Sequence, residues 1–338
     1  MQTPSFGLFL NMGANLGPTP ESIFQLTLKQ AQFAETLGYS DLWVTEHHFI
    51  PFGLSPSALT TSAFLLGRTK RLRVGTAVTL CPLYHPVELA ERAALLDQFS
   101  EGRFDLGIGR GGYLRDYQVL NLDTARWDDE PEASGEVILN AWRGNNLAPL
   151  TGQETTEHIP LQPPPRTQPN PPLFVATSSK AGIAFAARHG LGLQHYFATP
   201  VEARVKLEDK YREASLFDEQ PAHVHTLIVV VTENETRARA QLQCALTQSF
   251  KDGEWPHVPQ AGNRHTDKDG KPLDRGDMAK NVAQSALVGP PEKIREQLSA
   301  FVETTQAKRL VLYMEAVADE LTTLRSIELF AEQVMAKW

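Results

Sequence analysis

Four short stretches carry residue types that could do chemistry. In Thr45-Glu46-His47-His48-Phe49 two imidazoles follow a carboxylate. Neighbouring side chains of an extended segment point to opposite sides, so one ring can face a site while the other is buried. A metal would want a spacing such as H-x-x-x-H or a third ligand nearby, and neither is evident. General acid/base work by one imidazole, with Glu46 orienting it, needs less; a purely structural pair is the bland alternative. The second stretch, Gly107-Ile108-Gly109-Arg110-Gly111-Gly112, fits the G-x-G-x-x-G pattern of a dinucleotide loop. Such a loop should open a helix directly and usually belongs to a first βα unit. This one follows a fourth strand-like run, "YLRDYQVLNLDT" lacks a clean amphipathic opening, and Asp128 and Asp129 belong to what reads as the start of a helix. What remains is Arg110, either an anion anchor whose guanidinium grips phosphate through two N–H groups or a solvated residue of a turn. Third, "VGTAVTLCPLYHP" (74 to 86) offers small side chains that would let a flat ligand approach a barrel floor, or would simply pack in a layer. Fourth, Thr177, Ser178 and Ser179 precede a helical pattern, where hydroxyls and free N–H groups bind anions or cap the helix.

These stretches sit between strand-like runs that alternate with helical patterns. The runs are "SFGLFL" (5 to 10), "DLWVT" (41 to 45), "LRVGTAVTL" (72 to 80), "RFDLGIG" (103 to 109), "PLFVAT" (172 to 177), "GLGLQHY" (190 to 196), "HVHTLIVVV" (223 to 231) and "KRLVLYM" (308 to 314). Eight strands each followed by a helix specify an α/β fold of the (β/α)8 TIM-barrel type, with function on the loops that leave the strand C-termini. The clearest helix is "HPVELAERAALLDQFSEG", with Pro86 in its first turn and Gly102 after its end. Two segments break the rhythm. Residues 159 to 173 are proline-rich and read as an extended strap, a domain linker being the alternative. Residues 251 to 280, between the seventh and eighth strands, are long, polar and rich in Gly and Pro, and read as a mobile lid-like insertion, disordered decoration being the alternative. The whole of 1–338 is expected to be a single barrel domain.

Composition narrows the function classes. A formal charge of -8 argues against nucleic acid or an anionic membrane as the main partner, and the basic run Lys70-Arg71-Leu72-Arg73 is short. Two cysteines, Cys81 and Cys244, provide neither a disulfide framework nor a zinc knuckle and suit a reducing cytoplasm. The N-terminus reads as lacking a leader, and no apolar run is long enough to span a membrane, so a cytoplasmic location is expected.

The segments "LGYSDLWVTEHHF", "RVGTAVTLCPLYHPVELAERAALLDQFSEGRFDLGIGRG" and "FKDGEWPHV" together resemble the luciferase-like flavin monooxygenases, the luciferase α subunit in particular. The likeness runs from near residue 6 to the C-terminal helix. It implies the same barrel, with reduced FMN as cofactor and O2 as co-substrate, reacting through a C4a-peroxyflavin to oxygenate a small hydrophobic aldehyde, ketone or polyketide-like compound. It implies that His47 is the catalytic histidine, with Glu46 beside it, and that Arg110 and Ser178 hold the flavin phosphate. A non-prolyl cis peptide at Ala77-Val78 is implied beneath the ring, Asp116 is an acid near the flavin, and Gly112, Val175, Thr177 and Ser179 complete the cofactor site. No metal is implied. A separate flavin reductase and a homodimer follow from the same resemblance. The departures matter: the reactive cysteine of the luciferase α subunit is Gly109 here, the acid near the phosphate is Thr177, and the aromatic residue after the sixth strand is Phe197 instead of Trp. They put light emission and a long-chain aldehyde preference in doubt. Two alternatives remain, an F420-dependent oxidoreductase of the same superfamily and a non-catalytic flavin-binding partner subunit.

Overall fold

The computed structural model describes residues 3–128, 131–147, 158–261 and 274–338. The strands are β1 (Ser5–Leu10), β2 (Asp41–Val44), β3 (Arg73–Thr76), β4 (Thr79–Leu80), β5 (Phe104–Gly109), β6 (Leu173–Val175), β7 (Gly192–His195), β8 (Val224–Val231), β9 (Leu287–Gly289) and β10 (Arg309–Tyr313). The helices are α1 (Pro20–Leu37), α2 (Ala58–Arg68), α3 (Pro86–Phe99), α4 (Leu114–Leu120), α5 (Glu132–Trp142), α6 (Lys180–His189), α7 (Val201–Ala214), α8 (Glu235–Asp252), α9 (Arg275–Ser285), α10 (Pro291–Thr305) and α11 (Glu320–Leu329). The strands pair in parallel in the order β10-β1-β2-β3-β5-β6-β7-β8, and β8 pairs with β10, which closes the sheet into the expected (β/α)8 barrel. No described helix is long and apolar enough to cross a membrane.

Local sequence explains the element ends. Thr19 caps α1 in a reciprocal box with Ser22, Pro20 occupies its first position, and Gly38 takes the left-handed conformation that closes it (φ 86°). On each strand the alternation divides two cores. Leu8, Leu10, Leu42, Val44, Leu106 and Ile108 face the helices, whereas Phe9, Trp43, Phe174, Val311 and Tyr313 fill the barrel. Beneath the aromatic layer the barrel bottom is charged: Asp105 accepts from Arg73 and from Arg309 (3.2 Å), and Asp41 accepts from the Trp43 indole (2.7 Å). Both carboxylates are buried, and Arg309 lies near the Trp43 and Phe174 rings at 5.7 and 5.3 Å.

Two strand expectations differ in detail. The run 72 to 80 is not one strand, because the chain breaks at Ala77-Val78, a cis peptide, and only Thr79 and Leu80 then rejoin β5 beside Ile108 and Gly109. The three residues of β9, paired with the end of β8, are too short to show as a periodic run. The proline-rich segment is a strap: Thr167 donates twice to Asp97 of α3 (2.7 and 2.8 Å), and Gln98 donates to the Pro164 carbonyl (2.7 Å).

Candidate active site

The β2 loop carries the histidine pair to the C-terminal end of the barrel. His47 is partly buried, its ring edge-on to Phe52 at 4.8 Å, and its backbone N–H donates to the Ser55 carbonyl (2.9 Å). Burial, with the neighbouring His48 adding to it, holds its imidazole down at about 4, so the ring is neutral at ordinary pH. Among the described residues no protein group hydrogen-bonds its ring nitrogens, which leaves them for a ligand. His48 turns the other way and is 8% exposed.

The expectation that Glu46 orients His47 is corrected. Glu46 lies under His48, 3.6 Å from its Nε2, and its carboxylate accepts from the backbone N–H groups of Ala58 (2.8 Å) and Leu80 (3.1 Å). Those bonds pin the β2 and β3 loops together, so Glu46 is a brace and not the partner of His47. Asp116, the first-turn acid of α4, joins this corner from the β5 side. It is 1% exposed, its Oδ1 has no hydrogen-bond partner, and burial raises its carboxyl to about 6 against the pull of His48. A buried carboxyl with a raised pKa binds its proton more tightly folded than unfolded, so its ionisation costs stability above pH 6 and that cost disappears as pH falls toward 4. Asp116→Asn is therefore expected to stabilise the protein at pH 8 by up to about 3 kcal/mol and to be neutral at pH 4, which urea denaturation at the two pH values measures.

The anion corner forms where the β5 loop meets α5 and α6. The Arg110 Nη2 lies 3.2 Å from the Glu132 carboxylate, and the guanidinium lies over the Trp127 ring at 4.9 Å. Ser179 is the cap of α6: its hydroxyl accepts from the Gly182 N–H (3.0 Å), donates to Glu132 (3.2 Å) and lies 3.1 Å from the Thr177 hydroxyl. Ser178 stands exposed beside that helix N-terminus with no protein hydrogen bond among the described residues. A carboxylate therefore reaches this corner from another element, as Glu132, where the sequence has Thr177 in place of the acid that the resemblance implied. Sequence reasoning missed it because it reaches the corner only through the packing of α5 beside α6. Val175 is a second correction: it is fully buried in the helix-side core, so its side chain lies outside the mouth.

Between the two corners the upper barrel surface is lined by small residues. Ala77 and Val78 are partly exposed, and a Cβ on Gly109 would lie 2.6 Å from the Val78 Cγ2, so glycine lets the two strands meet there. The connection after α8 closes over the β5 loop. The Val258 N–H donates to the Gly112 carbonyl (2.9 Å) and the Leu114 N–H to the Pro256 carbonyl (2.8 Å). Tyr113 stacks near His257 at 4.7 Å, the Arg115 guanidinium sits over Trp255 at 3.3 Å, and Arg115 also donates to the Phe49 carbonyl (3.2 Å). Of the insertion expected over 251–280, residues 253–261 therefore lie against these loops and 262–273 fall outside the described residues, while its ends are corrected to helix: 251–252 finish α8 and 275–280 open α9.

This barrel, with its histidine and arginine corners on the same end, matches over residues 5–307 the family model described as luciferase-like monooxygenase. The chain belongs to the luciferase-like monooxygenase family. Among its relatives, the alkanal monooxygenase alpha chain of the Kryptophanaron alfredi symbiont is 24% identical over 340 residues, covering 93% of each chain. The oxygenase component of the flavin-dependent trigonelline monooxygenase of Acinetobacter baylyi is 31% identical over 195 residues, 56% of this chain and 53% of that one. In three dimensions the monooxygenase RslO1 from Streptomyces bottropensis superposes with a TM-score of 0.80 at 22% identity, covering 98% of this chain and 99% of its own. The family resemblance read from the "EHHF" and "GRG" segments is thus borne out.

Proposed function

We propose that this luciferase-like monooxygenase uses reduced FMN and O2 to place one oxygen atom on a small hydrophobic organic compound. The observation that carries the reading is the division of labour at the barrel mouth: a fixed guanidinium and a hydroxyl-bearing helix N-terminus on one side, a neutral imidazole on the other, and a small-residue surface between them. The donor set fits a flavin mononucleotide. Arg110 and Ser178 would take the phosphate, with Gly112, Thr177 and Ser179 shaping the seat, and Ala77-Val78 would lie under the ring. Reduced flavin supplies oxygen activation; the chain supplies position and dryness.

His47, neutral at working pH, holds or moves the proton at its ring nitrogens. Asp116, through the His48 and Glu46 corner, sets the charge behind it. Residues 253–261 exclude water from the mouth. The substrate side is apolar, with Phe49 and Tyr196 about half exposed at 46% and 44% and Phe52 and Leu54 beside them. That suits an aldehyde, a ketone or a polyketide-like compound. The trigonelline relative's being an oxygenase component supports a separate reductase that delivers the flavin, and the same reading makes the protein a cytoplasmic homodimer.

Anaerobic loading with FMNH2 or with reduced F420, followed by an oxygen pulse with candidate aldehydes and ketones, tests it. Substrate-dependent oxygen uptake with an oxygenated product from FMNH2 alone is the expected result. Turnover on reduced F420 without oxygen would establish the oxidoreductase alternative, and tight flavin binding with no substrate-dependent uptake the non-catalytic one.

A further inference from the structure

Away from the mouth, on the outer side of the barrel wall, lies a cluster that the proposed oxygenation does not use. His195 ends β7, His225 is the second residue of β8, and Glu208 reaches them from α7. All three are buried, at 4%, 1% and 4% exposed, and one donor atom from each lies within 4.8 Å of the others. We propose that His195, Glu208 and His225 bind one divalent transition-metal ion of the zinc or cobalt class, which ties β7, β8 and α7 together.

Two of the donor separations are those of a shared ion. The Glu208 Oε1 lies 2.9 Å from the His195 Nε2 and 3.3 Å from the His225 Nε2. Donors on a common tetrahedral zinc stand about 3.3 Å apart, given bonds of about 2.0–2.1 Å. At 2.9 Å the His195 Nε2 and the Glu208 Oε1 are close enough to interact directly when no ion is bound, whereas among the described residues the His225 Nδ1 has no hydrogen-bond partner.

Glu208 is left as a buried carboxylate in need of a cation. The nearby Arg204 does not pair with it directly: its guanidinium donates to the carbonyls of Thr199, Tyr196 and Thr226, each at 2.9 Å. Arg204 thus leaves the carboxylate oxygens free of a direct guanidinium bond and open to an ion, while its charge, by repelling a cation, limits the affinity. An entry path exists. A cavity of about 510 Å³ is lined by Glu208, His223, His225 and Lys308 on the αβ-loop rim, the end of the barrel opposite the flavin mouth. The protein donors are two imidazoles and one carboxylate, the kind of three-ligand set that leaves a fourth zinc position for an exchangeable ligand.

The test uses the full-length protein after dialysis against EDTA, titrated with Co2+ alone and followed by its visible ligand-field absorbance, then chased with Zn2+. One equivalent of Co2+ with a tetrahedral-type spectrum, displaced by Zn2+, is expected. Groups that only hydrogen-bond a metal's ligands are worth about 10–100-fold in metal affinity, so losing a ligand through His225→Gln should weaken binding by more than about 100-fold, whereas His189→Gln, outside the cluster, should leave it unchanged. Because a variant in this wall could unfold, anomalous diffraction at the zinc edge from wild-type crystals soaked in zinc locates the ion without any substitution. Absence of a stoichiometric site, binding indifferent to His225→Gln, or an anomalous peak elsewhere overturns the assignment. None of these readouts requires flavin, so they stand or fall separately from the oxygenase reading.

Discussion

His47→Ala is expected to leave the affinity for reduced FMN within a few-fold of wild type while lowering coupled product formation by about 10²–10⁴-fold, the range for loss of one positioned acid/base group. The expectation rests on placement. The ring sits in the loop after β2 against Phe52, its nitrogens have no hydrogen-bond partner among the described residues, and burial keeps it neutral down to about pH 4. Nothing about it points to the phosphate, which the arginine corner would hold. Oxygen uptake should therefore persist in the variant and be diverted to hydrogen peroxide, measured beside product in the same reaction. Unchanged product formation would remove the assigned role. A parallel loss of flavin binding would instead make His47 a cofactor contact.

Arg110→Ala is expected to weaken FMN binding by about 10–100-fold and to leave riboflavin, which has no phosphate, nearly unaffected. Hydrogen bonds to charged groups contribute about 1.5–3 kcal/mol each, and a guanidinium can offer two to one phosphate. Arg110→Lys should recover only part of the loss, because an ammonium keeps the charge but not the planar fork that lies over Trp127 and against Glu132. Fluorescence titration with the two flavins separates the cases. Equal losses for FMN and riboflavin would show that Arg110 shapes the loop and does not grip the phosphate.

The barrel was legible in the sequence because each stave carries its own apolar run and each intervening helix its own stop signal, as Gly38 and Gly190 show by closing α1 and α6 in the left-handed conformation. The site was legible only where a motif is local. His47 in "EHHF" and Arg110 in "GRGG" lie at strand ends that the pattern itself locates. Glu132 was not legible, since nothing near it in the chain says that α5 delivers its carboxylate to Arg110 and Ser179. The partner of Glu46 was misread for a related reason. Adjacency in sequence suggested His47, but the strand's alternation sends Glu46 and His48 to the same side, and the N–H groups of Ala58 and Leu80 hold the carboxylate there. The cluster of His195, Glu208 and His225 assembles from residues as far apart as 195 and 225 and shows no spacing rule at all.

The charged layer of Asp41, Asp105, Arg73 and Arg309, capped by the Trp43 and Phe174 rings, makes the barrel a cup with a stopper in its base. On the oxygenase reading proposed above, cofactor, substrate and product would then share the loops at the other end, so the order in which they pass would become a property of the architecture before any chemistry begins.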